Sequence, residues 1–299
     1  MKILLQFPEG LKRIAAEQAE NYRKRGYDVF LSASPCYGAC DVALEEAKAI
    51  GVDKIVHFGH APFLKSASIP IEYIQWHDDV VLNKIIAAAK KIPEKAIALG
   101  TTVQHVHQFA EIKGALEKAG KIVFTRKGRR CPYKGQILGC DFGALNIKEA
   151  EAAVVIASGA FHGVGIHLDK PVYIIHPKTG ELKNVSEEIQ KARKRRKGAV
   201  LKAVGARFFG VMLSTKLGQF NPALATALAK RIRRAGRNAE VIVSNNLDPS
   251  TLNNFAFDAF VNTACPRIAD DQEAYGKPIL NPDMLEEVFR IWKGLKSAP

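Results

Sequence analysis

Apolar positions along the chain follow two alternating rhythms. Short apolar runs bounded by glycine, proline or polar clusters predict strands, and longer stretches with apolar residues three and four apart predict helices. Lys2 to Phe7 reads as a strand, Leu11 to Arg25 as a helix ending at Gly26, and Asp28 to Ala33 as a second strand. Val42 to Ile50 is helical and stops at Gly51; Lys54 to Phe58 is a strand followed by Gly59 and His60; Ile71 to Trp76 is another strand. The order then recurs. Leu82 to Lys91 is helical, Ala96 to Leu99 a strand, His105 to Ala119 a helix closed by Gly120, and Ile122 to Thr125 a strand, with Ala150 to Ala157 and Val172 to His176 as two more. A third round runs from a basic helix around Ser186 to Lys202 through strand Phe208 to Leu213, helix Ala223 to Ala235 and strand Glu240 to Val243. It ends with a short helix from Asp248 and strand Phe257 to Asn262.

Strands alternating with helices are the pattern of parallel α/β sheets. A chain of 299 residues exceeds one core of roughly 100 to 200 residues. The expected fold is therefore α/β, with three similar small parallel-sheet domains over 1–80, 81–180 and 181–299 around a central site. The rounds share an outline and little residue identity. Loops at the carboxyl ends of parallel strands are where such sheets place their chemistry.

Composition narrows the class. Hydrophobic residues make up 47% and charged residues 25%, as in an ordinary soluble protein, and no stretch approaches the roughly 18 apolar residues of a membrane span. The opening MKILLQFPEG reads as a first strand and not a signal peptide, so a cytoplasmic location is expected. A net charge of +14 favours anionic partners. The basic run Lys191 to Lys197 falls within a helical segment, which makes it a solvated helix face, and no aromatic residues are interleaved with it as in a single-strand binder. No direct nucleic-acid partner is required.

Five cysteines, an odd number without the density of a disulfide scaffold, point toward metal binding or catalysis in a reducing compartment. Cys40, Cys140 and Cys265 each lie in a turn-rich loop after a predicted strand. Cys40 and Cys140 follow the second strand of their rounds and Cys265 the third. Thiolates select zinc or iron–sulfur clusters. No C-x-x-C knuckle is present, although Cys36, Cys40, Cys131 and Cys140 could supply four zinc ligands. The expectation is a three-thiolate iron–sulfur cluster, whose remaining iron is left open to a small molecule. The tight C-x-x-x-C-x-x-C loop of conventional radical S-adenosylmethionine enzymes is absent.

Five stretches carry a resemblance: LQFPEGL at 5–11, PCYGACD at 35–41, VHFGHAPF at 56–63, QILGCDFG at 136–143 and NTACPRIA with Asp271 at 262–271. In matching order over essentially the whole chain, they resemble the archaeal-type diphthamide biosynthesis enzymes, the noncanonical radical 2-(3-amino-3-carboxypropyl)histidine synthases. The resemblance implies three α/β domains, a homodimer, and a [4Fe-4S] cluster on Cys40, Cys140 and Cys265. It further implies transfer of the 3-amino-3-carboxypropyl group of S-adenosylmethionine to a histidine of translation elongation factor 2. An electron donor is required, and 5′-methylthioadenosine is left behind. Cys36 and Cys131 have no counterpart role.

S-adenosylmethionine carries a carboxylate, an ammonium and an adenosine, so its pocket needs a cation, hydrogen-bonding groups and an apolar slot. Arg267, two residues past Cys265, is the expected carboxylate partner or cluster-tuning charge. Gly59, Thr101 and Gln219 lie in strand-end loops whose amides could meet the co-substrate. Of the eight histidines, among them the pairs His57/His60, His105/His107 and His162/His167, His60 is the first candidate for a catalytic base. Two other classes compete. A quinolinate synthase-like dehydratase would use the open iron as a Lewis acid and need no sulfonium. A metal-stabilised RNA-binding protein would show steep salt dependence and no turnover of S-adenosylmethionine.

Overall fold

The computed structural model describes residues 1–64, 66–159, 163 and 165–296. Its strands form three sheets. Strands β1 (Lys2–Gln6), β2 (Asp28–Leu31), β3 (Lys54–Phe58) and β4 (Ile71–Ile74) are all parallel, in the order β2-β1-β3-β4. Strands β5 (Ala96–Thr101), β6 (Ile122–Phe124), β7 (Ala152–Ile156) and β8 (Val172–Ile175) repeat it as β6-β5-β7-β8. The short β9 (Leu182–Asn184) is added antiparallel at that sheet's edge. Strands β10 (Phe208–Ser214), β11 (Asn238–Ser244), β12 (Ala259–Asn262) and β13 (Ile279–Leu280) give β11-β10-β12-β13. The α/β class and the threefold recurrence expected from the rhythm are both present, and the recurrence extends to strand order. The first two sheets fall in one compact unit, Met1–Ser186, and the third in another, Glu187–Pro299.

Two-sided burial explains why the strands read as nearly continuous apolar runs. Ile3 and Leu5 point into one core with Tyr22, Val56 and Phe58, while Leu4 between them points into another with Val42, Ala47 and Ile55. The third sheet does the same: Val211 and Val261 pack with Leu228 and Trp292, whereas Met212 and Phe260 pack with Leu252 and Tyr275. Helix Leu44–Ile50 ends at Gly51, which takes a left-handed conformation (φ 72°) and donates to the carbonyls of Ala47 and Lys48. That conformation costs an L side chain and suits glycine.

The basic helix spans Ser186–Val204. Ile189, Ala192, Ala199, Val200 and Ala203 are its buried residues, and Arg195 and Arg196 on the other face pair with Glu273 and Asp283. The charge run is thus a solvated, partly paired helix face. Among the elements that go beyond the periodicity reading are the edge strand β9, the short helix Gln272–Tyr275, the two-residue β13 and the final helix Pro282–Lys296. The final helix did leave a signal, with proline at its first position and Met284, Leu285, Val288 and Trp292 spaced to form one buried face.

Candidate functional site

The five cysteines divide by burial. Cys36 and Cys131 are 4% and 3% exposed, whereas Cys40, Cys140 and Cys265 are half-buried in loops that follow β2, β6 and β12. The half-buried three are the predicted cluster ligands. A bulky cluster must reach its thiolates, and the half-buried three are open to one in a way that the two buried thiols are not.

In the first sheet the Cys40 loop is held from β1. Gln6 Nε2 donates to the carbonyl of Asp41 (2.8 Å), and Gln6 Oε1 accepts the Ala43 amide (3.0 Å). The Asp41 carboxylate accepts the Tyr37 amide (3.2 Å), closing the loop on itself, and the Asp41 amide donates to the carbonyl of Gly38. A Cβ added to Gly38 would meet only Cys40 Sγ, at 3.9 Å, so the protein leaves space beside that sulfur.

Cys140 sits at the tip of a tight turn between Leu138 and Asp141, whose backbones bond to each other in both directions. The turn docks on the end of β5: Thr101 donates to the carbonyl of Gly135, and Ile137 donates back to Thr101. Gly135 is at φ 76°, and a Cβ there would lie 2.0 Å from Phe109 Cζ, so only glycine fits. Asp141, 9% exposed, accepts the amides of Arg130 (2.6 Å) and Gly143 (2.9 Å). Burial pushes the Cys140 thiol up, and the Arg130 guanidinium pulls it back toward the thiolate. Cys131, buried beside the Asp141 carboxylate, is pushed up to about 12 and stays a thiol.

In the second unit Cys265 caps the 3₁₀ turn Pro266–Asp271. Asn262 holds its loop, accepting the Ala264 amide (3.0 Å) and donating to the Cys265 carbonyl and to Asn281 Oδ1 (2.8 Å each). Asn281 Nδ2 donates onward to the Pro266 carbonyl. Arg267 pairs with Asp270 at 3.2 Å within that turn. Gln219 is half-buried in the loop after β10.

Two residues expected to meet the co-substrate have their groups engaged within the fold. Gly59, at φ 83°, spends its amide on the Ile74 carbonyl, and a Cβ there would lie 2.8 Å from Pro8 Cγ. It serves close packing. Thr101 is fully buried, its hydroxyl donates to the Ile156 carbonyl, and both its backbone groups bond to the Cys140 loop. It holds the loop. Arg130 and the aspartates that follow Cys40 and Cys140 were missed. The repeated Cys-Asp pair was the available signal.

His60 Nδ1 lies 2.8 Å from His57 Nε2, and His57 Nδ1 lies 2.9 Å from Gln6 Oε1. Burial lowers His57 to about 3 and His60 to about 4, so both rings are neutral at physiological pH. His105 is buried against the Asp78 carbonyl, and His107 pairs with Asp79. His162 lies outside the described residues. Among the described residues the ligand atoms that close on one another are those of Cys36, His57 and His60.

Comparison with known proteins places these loops in a family. The family described as "Putative diphthamide synthesis protein" matches residues 7–295. The 2-(3-amino-3-carboxypropyl)histidine synthase of Pyrococcus horikoshii is 35% identical over 293 residues, covering 95% of this chain and 84% of the relative. The enzyme of the same name from Methanocaldococcus jannaschii is 28% identical over 304 residues, covering 94% and 82%. Among solved structures, Dph2 from Pyrococcus horikoshii with a 4Fe-4S cluster superposes with a TM-score of 0.88 at 33% identity, over 97% of this chain and 86% of that one.

Proposed function

Because the chain belongs to the diphthamide synthesis protein family, we propose that it transfers the 3-amino-3-carboxypropyl group of S-adenosylmethionine to a histidine of translation elongation factor 2. The observation that carries this reading is the full-length kinship to a named synthase, joined to three half-buried cysteines after strands of three sheets built to one strand order.

The donor set fits an iron–sulfur group: three soft thiols, each on a loop pinned by buried side-chain bonds, with room beside Cys40. Cys40, Cys140 and Cys265 would hold it. When bound with three protein thiolates, such a cluster supplies an open iron and a single electron to the sulfonium carbon–sulfur bond. The chain's own residues do the rest. Arg130 favours the thiolate of Cys140. Arg267, fixed by Asp270 beside Cys265, is assigned the carboxylate of the aminocarboxypropyl group, since a guanidinium binds carboxylate with two parallel donors. Gln219 is assigned a polar contact to the co-substrate. His60 is left out of the proton step, because a ring lowered to about 4 is a weak base at neutral pH.

The same reading takes 1–80, 81–180 and 181–299 as three domains, two chains as the working unit, a protein or small-molecule electron donor, and a cytoplasmic setting. Among the described residues no helix is long and apolar enough to cross a membrane.

The test is anaerobic turnover with purified elongation factor 2. Release of 5′-methylthioadenosine together with a mass gain on one histidine supports the reading. Consumption of S-adenosylmethionine without modification of the factor overturns the substrate. A reduced, cluster-loaded protein whose paramagnetic resonance spectrum ignores S-adenosylmethionine overturns the reaction class and leaves a Lewis-acid dehydratase as the alternative.

A further inference from the structure

At the Cys40 loop lies a second group of metal-ligating side chains that the proposed transfer reaction leaves without a role. We propose that Cys36, His57 and His60 form a separate binding site for one zinc ion. Each offers one ligand atom, and these atoms all lie within 4.8 Å of one another. Cys36 and His57 are buried and His60 is half-buried. One thiolate with two imidazoles is a borderline-soft donor set of the kind that zinc occupies.

Protons decide which nitrogens are available. The Gln6 amide is fixed by two backbone partners, its Nε2 donating to the Asp41 carbonyl and its Oε1 accepting the Ala43 amide. The atom facing His57 Nδ1 is therefore an acceptor, and Nδ1 must carry the ring hydrogen. His57 Nε2 is then an unprotonated lone pair directed at His60 Nδ1, 2.8 Å away. This is the second-shell arrangement that orients a ligating histidine and fixes its tautomer. The facing nitrogens share one proton, and a cation takes that proton's place.

Binding is balanced as follows. The hydrogen on His60 Nδ1 moves to Nε2, Cys36 gives up its thiol proton to solvent, and the ion gains two nitrogens and one sulfur with no change of oxidation state. Two zinc–nitrogen bonds at a tetrahedral angle set the nitrogens about 3.3 Å apart, so the pair opens by about half an ångström. Among the described residues no fourth protein ligand joins the group.

The experiment uses the full-length, cluster-loaded protein incubated with zinc chloride, desalted, and assayed for zinc and iron together with zinc-edge X-ray absorption. About one zinc per chain with a mixed shell of sulfur and imidazole nitrogen is expected, and Cys36→Ala should lose that zinc while keeping its iron. Gln6→Ala should weaken zinc by about 10–100-fold through the second shell. Zinc at background in the wild-type protein, an all-sulfur shell, or zinc retained in Cys36→Ala overturns the site. The wild-type spectrum stands even if a variant fails to fold. The site does not depend on the transfer reaction, because iron content and release of 5′-methylthioadenosine report on that reaction separately.

Discussion

The loops around Cys140 and Cys265 present a half-buried sulfur in the same way and are held by opposite chemistry. The Cys140 turn is pinned by a carboxylate: the Asp141 carboxylate accepts two backbone amides and has no hydrogen to donate. The Cys265 loop is pinned by carboxamides, Asn262 and Asn281, which donate to carbonyls as well as accepting an amide. The difference follows from what each backbone leaves unpaired. The first has amides turned inward, and the second turns two carbonyls and one amide inward. A sulfur can be placed at a strand end by either device, provided the pinning group matches the orphaned backbone atoms.

Removing the sulfurs tests the shared purpose of the two loops and has the largest expected effect. Cys140→Ala and Cys265→Ala should each lose most cluster iron and all release of 5′-methylthioadenosine, while Cys131→Ala keeps its iron, as measured by iron per chain after anaerobic reconstitution. A Cys265→Ala protein with undiminished iron would separate the loops functionally and end the comparison.

Removing a pin comes next. Asp141→Ala strands two amides in a buried turn and should cost about 3 kcal/mol in denaturant unfolding. The exchange of pins is smaller and more telling. Asn262→Asp turns two donated bonds into oxygen facing oxygen, and should cost about 2 kcal/mol. Asp141→Asn keeps one accepted amide and should cost about 1 kcal/mol. If Asn262→Asp is neutral, the carboxamide network does not hold the loop. Least dramatic is the order of alkylation in cluster-free protein. Cys140 and Cys265 should react before buried Cys131, which burial and Asp141 keep as a thiol; mass mapping that finds Cys131 among the first would contradict the burial.

Much of this was legible in the sequence. Continuous apolar runs located most strands because both faces of each sheet are covered by apolar side chains, three-and-four spacing located most helices, and Gly26, Gly51 and Gly120 marked the ends. The three half-buried cysteines were legible from turn-rich text after strands. Strand order was not, since it depends on pairings such as β1 with β3 that lie far apart along the chain. The pins were missed for a related reason: a lone Asp or Asn in a loop is ordinary until its amide partners are known. Gly59 and Thr101 were assigned to the co-substrate because strand-end position alone cannot tell an amide free for a ligand from one already bonded to a neighbouring loop. The repeated Cys-Asp pair at Asp41 and Asp141 was open to notice.

Gln6 is the cross-strand neighbour of His57 in the pairing of β1 with β3, and its one amide reaches Asp41, Ala43 and His57. A slip of β1 by a single residue would swing that amide to the opposite face and break all three bonds together. Misaligned chains would therefore lack an ordered Cys40 loop, which makes assembly of the site a proofreading step for the sheet beneath it.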